Sequence, residues 1–184
     1  MSGIRIRALP YACTLAAFLL AVSVAGFGQL RDERAVRAAY VFNLTKYVEW
    51  PGGGSELVIG FEGNRPTGEI LQKLLDGKTS DSRLIRVLLF PSKDELKRCN
   101  VLYVTETEGK KTQALLEGLD NRNMLTVGES AEFAKAGGMV SLVKAGDQIQ
   151  IQVNVEAAQR AGIKISSRLL NLAVIVDERP VREN

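Results

Sequence analysis

No histidine occurs anywhere in these 184 residues. Its absence removes the Ser–His–Asp and Cys–His pairings that activate a nucleophile, histidine-containing zinc sites, and the side chain that ordinarily titrates near neutral pH. Chemistry is left to carboxylate pairs, lysines and cysteines. Glu106 and Glu108 stand beside a turn signal at Gly109 and read as a solvated loop. Gly109-Lys110-Lys111-Thr112 has the closing letters of a phosphate loop, but Val104 stands where that loop needs its first glycine. Cys13 falls in an apolar leader without lipobox surroundings. Cys99 precedes the apolar run Val101-Leu102-Tyr103-Val104. There it reads as a small buried residue at a strand edge, with a reactive thiol or an intermolecular disulfide as the alternative. No nucleophile–base pair, metal cluster or cofactor fingerprint emerges, so catalysis is not expected and no cofactor is implied.

Binding residues are easier to nominate. Arg168 stands in the apolar, serine-flanked stretch Ser166-Ser167-Arg168-Leu169-Leu170. That makes it a candidate anion contact, with a snorkelling surface arginine as the plainer alternative. The stretch from Ala38 to Pro51 packs Tyr40, Phe42, Tyr47 and Trp50 into one helix-length run. At about 100° per residue, Val36, Tyr40, Leu44, Tyr47 and Trp50 share a face, Val41 and Val48 widen it, and Asn43 falls within it. Those aromatics are expected in the core. Phe42 points between Lys46 and Glu49, on the polar side, which makes it a candidate contact for a partner or a second copy.

Alternating elements must position these residues. A helix is expected over 31–50, then strands at 57–61 and 84–90 separated by a helix over 68–75. Ser92-Lys93-Asp94-Glu95 is a capping box and starts a short helix. Strands at 100–105 and 124–127 flank a helix over 110–119, and a helix over 130–136 breaks at Gly137-Gly138. Strands at 139–143 and 148–153 form a hairpin around Ala145-Gly146-Asp147, and Ile149, Ile151 and Val153 alternate with glutamines as in a half-buried antiparallel strand. Asn154 caps a helix over 155–161, and 166–173 is a last short helix or strand. The sum is a single-domain α/β sandwich with a mixed sheet of about six strands, an amphipathic helix at its start and an antiparallel hairpin toward its end.

The first residues set an expectation about compartment. Arg5 and Arg7 precede an apolar stretch, and Ser23-Val24-Ala25 offers small residues for cleavage after Ala25. Residues 1–25 therefore read as a signal peptide and 26–184 as the exported domain; a membrane anchor is the alternative. Taking Arg5 and Arg7 from the 24 basic residues leaves 22 against 21 acids, so the exported domain is nearly neutral. It carries no basic stripe interleaved with aromatics, which argues against nucleic acid as a partner.

Four pieces of the chain, in order, resemble one known family. They are the run from Ala38 to Pro51; Cys99 to Val104; Phe133-Ala134 with Gly137-Gly138-Met139-Val140; and Val153-Asn154-Val155 with Ala157-Ala158 and the stretch from Ile165 to Ala173. The family is that of YfiR-like periplasmic proteins. The resemblance implies a compact α/β sandwich, a periplasmic location and a regulatory role without catalysis. It also implies a partner: the periplasmic sensor domain of a membrane-bound diguanylate cyclase, held inactive so that cyclic-di-GMP and biofilm formation stay low. Homodimers are likewise implied. The alternative is a small-ligand-binding module acting with a sensor kinase or an outer-membrane receptor. Cys99 matches a family cysteine, but Leu57-Val58-Ile59-Gly60-Phe61, where a partner cysteine would be expected, holds none.

Overall fold

The computed structural model describes residues 32–51, 54–105, 109–119 and 123–177. The expected signal peptide at 1–25 lies outside them, as do Glu106 and Glu108. Helix α1 (Glu33–Leu44) passes through a 3-10 turn (Thr45–Tyr47) into β1 (Val48–Glu49). Then come β2 (Glu56–Glu62), α2 (Arg65–Leu75), β3 (Thr79–Ser80) and β4 (Arg83–Leu89). They are followed by α3 (Lys93–Leu96), β5 (Val101–Val104), α4 (Gly109–Glu117), β6 (Leu125–Gly128) and α5 (Ala131–Lys135). The chain continues through β7 (Val140–Ala145), β8 (Gln148–Val153), α6 (Val155–Arg160), β9 (Lys164–Ile165), α7 (Ser167–Leu170) and β10 (Val174–Ile175).

The main sheet has eight strands in the order β10-β8-β7-β6-β5-β2-β4-β3, and β1 pairs separately with β9. Its six long strands are the six that the sequence predicts; β3 and β10 add two-residue edges. β4, β2, β5, β6 and β7 run parallel, and β8 returns antiparallel to β7. The sheet is therefore mixed, as expected.

This order dictates the layers. From β2 the chain crosses to β4 on one side, then returns past β2 to β5 and continues outward. Right-handed crossovers in opposite directions must use opposite faces. The buried side chains follow that rule. Leu57, Ile59, Phe61, Ile85, Val87, Val101 and Tyr103 pack in one cluster with Ala38, Val41 and Leu44 of α1 and with Leu71 and Leu75 of α2. Leu102 and Val104 point the other way and pack with Leu116 of α4 and Phe133 of α5. β5 and β6 are buried along their whole length, as parallel strands covered on both faces must be.

Local chemistry places the element ends. Asn64 caps α2 by accepting from the Thr67 N–H, and Ser92 and Glu95 complete the predicted capping box. Asn154 caps α6 at the Ala157 N–H and also donates to the Ala134 carbonyl, which ties α6 to α5 across the sheet end. Gly146 takes φ +62 at the first central position of the two-residue β7–β8 turn, the place where such a turn requires glycine.

The first helix differs from expectation. It ends at Leu44 instead of running to Trp50. Its buried side is Arg37, Ala38, Val41 and Leu44, continued by Thr45 and Val48. That stripe is turned by roughly 100°, one residue's rotation, from the predicted one. Tyr40, Tyr47 and Trp50 are half-buried flanks packed against the core, and Asn43 is exposed. The cause is Arg37, which a hydrophobic pattern assigns to solvent and which is only 7% exposed.

Phe133 makes a sharp packing demand. It is fully buried, and a Cβ built on Gly128 or on Gly138 would lie 2.2 Å from its ring. The ring thus occupies the space that two missing side chains leave. Gly128→Ala or Gly138→Ala should destabilise the fold by about 1–3 kcal/mol through overpacking. Phe133→Ala should cost about 3–5 kcal/mol. In denaturant melts, Gly128→Ala should cost less in a Phe133→Ala background than in the wild type; equal costs would contradict the wedge.

Candidate functional site

Between β2 and β5 the crossovers leave on opposite faces, and the carboxyl ends of such strands are the usual ligand position in sheets of this kind. The polar groups that gather at this edge come from four elements. Tyr103 is the third residue of β5, Glu129 follows β6 directly, Lys144 and the Leu142 carbonyl belong to β7, and Glu33 and Arg37 open α1. The Tyr103 hydroxyl donates to Glu129. Arg37 donates to the Leu142 carbonyl and to Glu33 (2.7 Å), and its guanidinium stands 3.8 Å from Glu129. Lys144 pairs with the other Glu33 oxygen. Arg37 is thus a buried cation whose hydrogen-bonding groups and charge are both matched, the condition under which such burial is tolerated.

The network is poised to hold shape more than to move protons near neutral pH. Burial, reinforced by the Glu129 carboxylate, pushes the Tyr103 phenol well above its ordinary range. The Lys144 and Arg37 hydrogen bonds hold the Glu33 carboxyl below its ordinary range. Neither group changes charge near pH 7.

The nominated residues lie elsewhere. Phe42 is half-buried against the core, and the Lys46 ammonium stands 4.4 Å from its ring centroid. Arg168 is exposed on α7. Its neighbours Ser166 and Ser167 line a groove of about 370 Å³ between α6 and β9, with Ile163, Ile165, Leu170, Glu49 and Lys164 among its other walls. Cys99 is buried, its Sγ 3.5 Å from the Glu95 carbonyl oxygen, and desolvation pushes its thiol up to about 11. It is the small packed residue at a strand edge that its sequence position indicates.

Some features had no sequence signal. Arg37 and Glu33 read as an ordinary exposed pair of a helix's first turns. Leu172, Val174 and Ile175 form an exposed apolar strip on the β10 edge; in sequence they look like one more buried run. Among the described residues no group of three His, Cys, Asp or Glu side chains converges as a metal would require. No helix among them is long and apolar enough to cross a membrane.

A family model described as YfiR/HmsC-like matches residues 34–174. One similar solved structure is an ABC domain in complex with L-Trp from Streptococcus pneumonia. The two match with a TM-score of 0.51 at 12% identity, over 78% of this chain and 60% of that one. That likeness concerns the fold alone.

Two measurements check the site. Because the Glu33 carboxyl is held below its ordinary value, its pairing stabilises the fold above the usual carboxylate range and is lost as pH falls through the lowered folded value. Glu33→Gln should therefore cost about 1 kcal/mol or less at pH 7, and the difference should close in acid. A difference that persists in acid would contradict the assignment. Cys99 should react slowly with a thiol reagent at pH 8 in the folded protein and rapidly once unfolded, its folded-state reactivity climbing only toward pH 11.

Proposed function

The chain belongs to the YfiR/HmsC-like family, and on that premise we propose that it is a non-catalytic periplasmic regulator. It binds the periplasmic sensor domain of an inner-membrane signalling enzyme, a diguanylate cyclase, and holds that enzyme inactive. The observation that carries this reading is the span of the family match, which runs from the first turn of α1 to the start of β10.

The chemistry of the chain supports a role exercised through shape. Its polar cluster at the carboxyl edge is locked in mutual bonds, and its thiol is sealed beneath α3. Inhibition then works by population shift. The regulator binds the inactive conformation of its partner more tightly, and moves the equilibrium only by that difference in affinity. Two surfaces suit such a contact: the Phe42 ring beneath Lys46 on α1, and the apolar strip of Leu172, Val174 and Ile175.

A second reading, a small-ligand-binding module, is favoured by the groove lined by Ser166 and Ser167, with Arg168, the next residue in sequence, as a candidate anion contact. The fold neighbour that holds L-Trp makes that amino acid a suitable probe.

Deleting the gene should raise cellular cyclic-di-GMP, and restoring it should lower the level again. Lys46→Glu, which leaves the core untouched, and Phe42→Ser, checked for folding by circular dichroism, should restore repression poorly. An unchanged cyclic-di-GMP level after deletion would sink the repressor reading. Saturable L-Trp binding that Arg168→Ala abolishes would instead support the module reading.

A further inference from the structure

The face of β2 and β4 that turns away from α1 and α2 is only partly covered. Leu57, Ile59, Ile85 and Val87 point into the main core, so strand alternation sends Glu56, Val58, Arg86 and Leu88 to the opposite face. Register places Val58 beside Arg86 and Gly60 beside Leu88. The connection from β4 to β5 passes over this face, because β5 lies on the far side of β2. Its only helix is α3, a single turn of four residues. The Pro91 ring and the Cys99 sulfur crowd Gly60 and cover it. Val58 and Leu88 stay half-buried beside that cover and line a groove of about 320 Å³.

Charged side chains complete the walls of this groove. Arg86 and Glu56 pair with each other at 3.4 Å. Asp76, at the end of α2 on the sheet's outer edge, accepts the Val87 N–H at 2.9 Å. Arg98 follows α3 on the β5 side. Its guanidinium makes no hydrogen bond or ion pair with a described residue. The acids closest to it in sequence are engaged elsewhere. Glu95 accepts from both the N–H and the hydroxyl of Ser92, and Asp94 pairs with Lys97 at 2.8 Å. Among the described residues, Arg98 is the one charged wall of the groove left without such a partner. A guanidinium is a planar fork that matches a carboxylate or a phosphate with two parallel bonds. Beside it lies apolar surface that is still half open to water, which a ligand with an apolar body would cover.

We propose that this groove binds a small organic anion, a carboxylate or a phosphate monoester on an apolar body. The head group pairs with Arg98, and the body lies on Val58 and Leu88. The groove is on the face of the sheet opposite α1, and it shares no residue with the groove lined by Ser166 and Ser167. The proposal therefore rests on neither reading given above.

The test follows amide chemical shifts of Val58, Val87, Leu88 and Cys99 in the purified protein. Phenylacetate and phenyl phosphate are titrated separately at fixed ionic strength, with 2-phenylethylamine as the control that keeps the ring and reverses the charge. Saturable shifts with either anion, absent with the amine, support the site, and the tighter anion identifies the head group. Arg98 is exposed, so Arg98→Gln should fold normally; it should weaken binding roughly tenfold or more, as loss of a charge-assisted donor does. Lys97→Gln removes the same charge one residue away, from a side chain outside the groove, and should leave the affinity unchanged. Shifts that fail to saturate, equal binding of the amine, an Arg98→Gln affinity equal to that of the wild type, or equal losses in the two variants would overturn the proposal.

Discussion

No residue of the two central strands, Val101–Val104 and Leu125–Gly128, is left to water. Most of the architecture follows from that condition. Strands buried on both faces need helices on both faces, and with right-handed crossovers this requires the chain to start mid-sheet and reverse direction once. The reversal at β2 is therefore set by hydrophobic coverage. The same reversal sends the crossovers that follow β2 and β5 to opposite faces of the sheet. Polar residues cluster at the carboxyl edge because the strand ends are where the apolar layers stop.

Arg37 illustrates how one polar residue can organise an apolar fold. Its place on the inner side of α1 rotates that helix, moves Tyr40, Tyr47 and Trp50 to the flanks, and joins the first helix to β7 through the Leu142 carbonyl and through Glu33 and Lys144. Removing one partner of such a group leaves a desolvated charge, so the members are mutually dependent. Tyr103 enters the same set from β5 through Glu129. Burial keeps the Cys99 thiol and the Arg37 guanidinium away from solvent.

What could be read in the sequence was whatever has a local cause. The capping box at Ser92, the Asn154 cap, the glycine turn at Gly146 and the six apolar runs all depend on near neighbours and reappear in the structure. Other features depend on distant partners and left no local mark. The β3–β4 turn uses Asp81 and Ser82 at positive φ, without the glycine that would have signalled it. The two-residue strands owe their existence to neighbours already in place. Arg37 is buried because Glu33, Glu129 and Leu142 meet it, and two of those three lie far from its own helix in sequence. Phe42 and Arg168 were visible as residue types; that Lys46 stacks on one, and that a groove adjoins the other, was not.

The contact between Cys99 and Gly60 constrains how this sequence can change over time. A Cβ on Gly60 would lie 2.9 Å from the Cys99 sulfur and 3.2 Å from the Pro91 ring. The glycine is therefore held in place by the thiol. Position 60 gains room for a side chain only after position 99 has given up its sulfur, whereas position 99 is free to shrink first. Exchanges at the two sites are consequently ordered, and a lineage that has lost the cysteine has access to substitutions in β2 that this one does not. A glycine retained on such grounds would reflect the history of its neighbour, with no redox chemistry involved.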